Sequence, residues 1–174
     1  TREPRRSPPG TGLGASVDRR LPAVPLVDDN GRRTSLAAFR GRWVVLVPSM
    51  TLCHEVCPLT TAAVIRLDRL MAAAGVGGRF VAVTVSVDPW RDTPRRLRAY
   101  RRMTGADFPM LTGDVGSLRR LWSSLGIDFE RVSPPTPPDR DWMTGRPERF
   151  DVEHTDGAFV IDPRGVERLA VPGM

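Results

Sequence analysis

Lysine is absent from the 174 residues, so every basic side chain is arginine. The net charge of +6 and a sequence pI near 10.9 would ordinarily raise nucleic acid or an anionic surface as a partner. All-arginine usage is what GC-rich coding produces on its own, however, and the acidic residues are interspersed with the basic ones. The densest stretch, RRLRAYRR at residues 95–102, sets Leu97 and Tyr100 among its arginines, which reads as the solvated face of an amphipathic helix. Aromatic side chains are too sparse for a base-stacking platform, so no nucleic-acid partner is expected. No apolar run approaches 18 residues, which excludes a spanning helix within this sequence. A charged-then-apolar signal segment is missing too, but the numbering begins at a Thr. The expectation is a leader or membrane anchor ahead of residue 1, with Pro- and Arg-rich residues 1–20 as a flexible tether.

From residue 21 to residue 174 the chain has the length and composition of one domain. Residues 21–36 read as strand, turn and strand, with the turn at DDNG, residues 28–31. The β-branched runs at 43–47 and 80–87 suit strands buried on both faces. Between them, residues 60–74 place Ala63, Ile65, Leu67, Leu70 and Met71 at mainly helical spacing, and Gly75 ends the helix. Asp92 or Thr93 caps a second helix that opens on Pro94 and runs to about Met103. A short strand at 108–111 and a helix at 116–125 follow. Residues 131–153 are Pro-rich and charged and read as a long loop or irregular hairpin. A strand at 158–162, a turn at 163–165 and a strand at 166–171 close the chain. Strands alternating with helices predict an α/β domain with a central mixed, mostly parallel sheet covered by helices.

Both cysteines lie in TLCHEVCP, residues 51–58. Two thiols four positions apart can form a disulfide switch, a metal claw or a pair of core neighbours. The stretch follows a buried strand and opens a helix, where the carboxyl edge of an α/β sheet forms sites and the helix N-terminus favours thiolate over thiol. On a helix this spacing sets Cys53 and Cys57 one turn apart on one face. His154, in VEHTDGAFVID, leads into a β run at the same edge of the sheet. His54 sits about 100° round a helix from Cys53 and reads as solvent-facing. Two thiolates and an imidazole make a soft, three-coordinate set suited to Cu(I), whereas zinc would want a fourth ligand.

Four stretches in order carry a family resemblance: TLCHEVCP with its C-x-x-x-C-P core, VSVDPWRDTP at 85–94, FPMLTGD at 108–114 and EHTDGAFVIDPRG at 153–165. Together they resemble the Sco/SenC family of copper-binding, thioredoxin-fold proteins, over roughly residues 21–170. The resemblance implies a thioredoxin-like fold with an N-terminal β-hairpin. It implies Cys53, Cys57 and His154 as ligands of one copper ion, Cu(I) or Cu(II). It also implies delivery to the binuclear copper centre of cytochrome c oxidase by an extracytoplasmic, membrane-tethered monomer, with the oxidase copper-centre subunit as partner. Three positions depart from the family pattern. His54 stands where the family has Pro, VPSMT replaces an aromatic-rich approach, and the sequence stops at VPGM, short of the last helix of the fold.

The main expectation is a metallochaperone rather than an enzyme. The alternative is a thiol–disulfide oxidoreductase in which Cys53 and Cys57 form the catalytic redox pair that reduces the acceptor's copper-ligand cysteines.

Overall fold

The computed structural model of the protein describes residues 15–52 and 57–173. Eight strands form one sheet in the order β1-β10-β9-β4-β5-β6-β2-β3. Its centre is parallel. β4 (Trp43–Ser49) runs beside β5 (Phe80–Ser86), and β5 beside β6 (Met110–Thr112). Around this centre, β9 (Gly157–Ile161), β10 (Val166–Pro172), β1 (Ala15–Arg20), β2 (Leu26–Asp28) and β3 (Arg33–Thr34) pair antiparallel. This is the expected central mixed sheet of a thioredoxin-like fold, but it is not mostly parallel: five of its seven pairings are antiparallel. The tight β2–β3 and β9–β10 turns and the return of β9 against β4 reverse the chain at both sides of the parallel centre.

The β-branched runs form strands because both faces of the sheet are buried. Val44, Leu46, Val83 and Val85 point into one core, with Leu118, Leu121 and Trp122 of α3 (Val115–Ser124) packed over them. Val47 and Ala82 point the other way, under Val64 and Met71 of α1 (Cys57–Ala73) and Leu97 and Tyr100 of α2 (Pro94–Thr104). Trp122 is fully buried and donates its indole N–H to the carbonyl of Ser86, so its polar atom is satisfied inside the core.

Local signals placed most of these elements. The Thr93 hydroxyl accepts from the Arg96 amide, Pro94 opens α2, and Gly105 closes it at φ +70°. The DDNG turn joins β2 to β3, with Gly31 at φ +81°. A short 3-10 helix (Leu36–Phe39), not foreseen, follows the hairpin and buries Phe39. Two expectations change. The fold reaches further toward the N-terminus than residue 21: Ala15–Arg20, read as tether, pair with β10 along an edge of the sheet. The RRLRAYRR stretch is also only partly a solvated face, since Arg96 is buried in a two-pronged pair with Asp141 at 3.0 and 2.6 Å. The Pro-rich segment resolves as the hairpin alternative. β7 (Phe129–Val132) and β8 (Asp151–His154) form a separate two-stranded ladder, with residues 133–150 as its long connection. No helix among the described residues is long and apolar enough to cross a membrane.

Candidate metal centre

Residues 53–56, including Cys53 and His54, lie outside the described residues, as does the side chain of Cys57. Cys57 is the first residue of α1, so the expectation that the cysteine stretch opens a helix holds at its second cysteine. The one-face arrangement of the two thiols falls on residues that are not described. The chain leading into the stretch is well placed. Met50, Thr51 and Leu52 leave the end of β4 buried, with 6, 4 and 1% of their surfaces exposed.

Thr51 is fixed from two sides. Its backbone N–H and its hydroxyl both donate to Oδ1 of Asp92, at 3.3 and 2.6 Å. Its carbonyl accepts the indole N–H of Trp142 at 2.8 Å. The other oxygen of Asp92 accepts the Ser86 hydroxyl at 2.6 Å. No cation pairs with Asp92 among the described residues. Burial, reinforced by the neighbouring carboxylate of Asp88, pushes the Asp92 carboxyl up to about 7 against the hydrogen bonds that favour its charged form. Burial also raises the pKa of Asp88, and Arg91 opposes the rise through an ion pair and a hydrogen bond.

His154 ends β8, and the topology explains its position. β9 pairs antiparallel with β4 through Leu46↔Phe159. The start of β9 at Gly157 therefore lies toward the end of β4, where Met50, Thr51 and Leu52 emerge. His154, three residues ahead of Gly157, is delivered at that same edge, as expected. The Nδ1 of His154 is 3.0 Å from the carbonyl of Thr155 and 3.3 Å from Oδ1 of Asp156. With both acceptors on Nδ1, the neutral ring carries its proton there, which leaves the Nε2 lone pair for a metal. The side chain is 9% exposed and borders an open groove with Arg119, Glu130 and Glu153.

The VSVDPWRDTP segment ties these parts together. Trp90 meets Phe129 of β7 and Phe150 edge-on, with ring centroids 5.8 and 6.2 Å apart. Arg91 joins Asp88 to Glu148, at 2.8 Å, and to the carbonyl of Phe150, at 2.9 Å. Asp92 holds Thr51. One loop thus braces the hairpin that carries His154 and the approach to Cys53. Sequence reasoning saw Asp92 only as a candidate cap and gave Trp142 and Glu148 no role. For Asp92 the family-like SVDPWRDTP stretch was an available signal. For the other two there was none, because their partners lie 91 and 57 positions away.

Among the described residues no cluster of three His, Cys, Asp or Glu side chains is placed to hold a metal. That set contains His154 but neither thiol.

The model of the SCO1/SenC family matches residues 22–171. A copper-binding protein, so named, from Stutzerimonas stutzeri is 31% identical over 148 residues, which are 85% of this chain and 67% of that protein. The mitochondrial SCO2 homologue of Bos taurus is 27% identical over 81% of this chain and 49% of its own length. This chain thus spans about half to two-thirds of the length of these two relatives. Among solved structures, a SCO1/SenC family lipoprotein of Bacillus anthracis superposes with a TM-score of 0.74 at 20% identity, covering 91% of this chain and 88% of that one. Arabidopsis thaliana ScoI with copper bound gives 0.72 at 20% identity, covering 87% of each chain. With 150 consecutive residues matched to the family model, this chain belongs to the SCO1/SenC family.

Proposed function

We propose that this chain carries one copper ion, held by Cys53, Cys57 and His154, and delivers it to the binuclear copper centre of cytochrome c oxidase. The observation that carries the reading is the state of His154. Its Nδ1 is occupied by Thr155 and Asp156, its Nε2 has no partner among the described residues, and it stands at the sheet edge to which β4 brings the chain that leads into the cysteine stretch. A relative named as copper-binding and a copper-bound structural neighbour support copper as the cargo. Two thiolates and one imidazole leave a side of the ion open, so an incoming acceptor thiolate can bind before a donor leaves. The ion passes by ligand exchange, with no net oxidation or reduction. The chain acts as a monomer on the extracytoplasmic face of a membrane, tethered through residues before the described fold. A lipoprotein and mitochondrial proteins among its relatives support that placement.

The test is copper retention after anaerobic, reduced reconstitution, in competition with a Cu(I) chelator. Cys53→Ala, Cys57→Ala and His154→Ala each lose the ion to chelator concentrations that the parent chain withstands, whereas His54→Ala retains it. Full retention in both cysteine variants would end the proposal.

One observation favours a second role in the same protein. A structural neighbour with a TM-score of 0.66 is described as having a disulfide switch, and Cys57 opens a helix. In that role the Cys53–Cys57 dithiol gives two electrons and two protons to an acceptor disulfide and itself closes into a disulfide. A His154→Ala variant that loses copper yet still reduces the acceptor's cysteines would separate the two roles.

A further inference from the structure

The outer faces of α1 and α2 differ from the rest of the surface. Among the described residues, the large hydrophobic side chains that stand exposed are Leu59 at 71%, Leu70 at 57% and Met103 at 59%. Two lie on α1 and the third on α2. The helices are neighbours: the Thr61 hydroxyl on α1 and the Tyr100 hydroxyl on α2 are hydrogen-bonded at 3.0 Å beneath the surface. Between them runs a shallow groove with Ala62, Ile65 and Leu70 along it, Arg66 and Arg69 at its side, and Thr104 from α2.

Only some arginines of these two helices are used by the described fold. Arg96 is committed to Asp141, and Arg101 to Asp29 and Asp107. Arg66, Arg69 and Arg102 are exposed and make no ion pair among the described residues. The α1 sequence keeps Val64 and Met71 inward and sets Leu59, Ala62, Arg66 and Leu70 outward at helical spacing. Apolar side chains with arginines at their edge are a composition found at protein interfaces.

We infer that this face is the docking surface for a partner protein that presents an apolar projection ringed by aspartates and glutamates. That partner is the copper acceptor, an identification that rests on the function proposed above. Charge selects this occupant. A second copy docked face to face would set Arg66 and Arg69 against their own counterparts. A lipid surface is served poorly by an alanine-floored groove with no aromatic side chain on its rim. Position agrees with it: the groove begins at Ala62, and exposed Leu59 continues the apolar face along α1 to within two residues of Cys57, the end of the helix that opens on the second cysteine.

The experiment titrates the soluble copper-accepting domain of the oxidase from the same organism with the metal-free chain and with the copper-loaded chain. Parent chain, Leu70→Ser and the double variant Arg66→Glu/Arg69→Glu are compared at two salt concentrations. Circular dichroism confirms that each variant is folded. The expected result is parent binding that weakens with salt. The double variant should bind about tenfold or more weakly with its salt dependence lost, and Leu70→Ser should bind weakly with its salt dependence kept. Copper retention against the chelator should be unchanged in both. Unaltered affinity in both variants overturns the inference, as does a parent chain that fails to bind the domain. Variants that instead lose self-association, or lose binding to phosphatidylglycerol vesicles while keeping the acceptor, overturn it in favour of those occupants. A parent chain that binds the acceptor through this face but retains no copper leaves the docking surface standing and removes the copper reading.

Discussion

A single carboxylate oxygen of Asp92 receives both the amide N–H and the hydroxyl of Thr51, two residues before Cys53. The carbonyl of the same threonine is taken by Trp142. The last described turn of chain before the cysteines is therefore fixed by a buried acid on one side and a tryptophan from the long hairpin connection on the other.

The acid makes stability depend on pH in an unusual direction. Asp92 titrates near 7 in the folded protein against 3.8 for the ordinary group. Between those values the folded chain binds the proton more tightly than the unfolded chain. The group's stabilisation is therefore full below about pH 4 and declines as pH rises toward 7, by at most about 1.4 kcal/mol per pH unit. Asp88, raised in the same direction, adds to the slope. Asp92→Asn imitates the protonated form, so its urea midpoint should vary much less between pH 4 and 7 than that of the parent chain. Parallel profiles for the two proteins would refute the assignment.

Trp142→Phe keeps the ring and removes the donor. The buried carbonyl of Thr51 then loses its partner, at a cost of about 1–3 kcal/mol in chemical denaturation. Because the approach to Cys53 loosens, the variant should also release copper to a lower chelator concentration. A loss of stability with unchanged copper retention would show that the contact serves the fold alone.

Arg96 and Asp141 join the same connection to α2. The two hydrogen bonds from the guanidinium are the main reason the Asp141 carboxyl is held down at about 2. A depressed acid contributes stability above its unfolded value of 3.8 and loses that contribution as pH falls toward 2. A double-mutant cycle with Arg96→Met and Asp141→Asn should give a coupling of about 1–3 kcal/mol at neutral pH and much less at pH 2.5. Additive effects at neutral pH would mean the pair contributes nothing of its own.

Asp156 faces the Nδ1 of His154. Removing such an outer partner typically costs about 10–100-fold in metal affinity, because ring orientation and tautomer are no longer held. Asp156→Ala is expected to lower copper affinity by an amount in that range, read by chelator competition, with thermal stability nearly unchanged. Equal affinities would leave the Thr155 carbonyl as the sufficient partner.

Much of the fold could be read locally because its signals are local. Thr93, Pro94 and Gly105 bracket α2, Gly31 turns the β2–β3 hairpin, and the valine runs demand a sheet covered on both faces. Leu70 shows the limit of periodicity. It fits the helical pattern of α1 yet stands in solvent, while Val64, which the pattern passed over, is buried. Helical spacing defines a stripe, and the angle at which α1 meets the sheet selects which part of that stripe is inside. The Ala15–Arg20 strand was missed for a related reason. Its pairing is made by backbone groups to β10, and a polar edge strand has no apolar alternation to reveal it.

By its residues alone the chain determined its family, its alternating α/β order and a scarce set of candidate soft donors, Cys53, Cys57 and His154, because each is written in residue type and short spacing. Only the tertiary structure decided that Asp92, Trp142 and the Arg91–Glu148 pair brace the approach to the cysteines and the histidine hairpin. Those contacts join residues 41, 91 and 57 positions apart. Their partners meet because the parallel β4–β5 pairing sets the ends of two strands side by side and the hairpin connection folds back over them. A buried carboxylate acquires a pKa near neutrality only from that enclosure, since burial belongs to the folded chain and not to any segment of it.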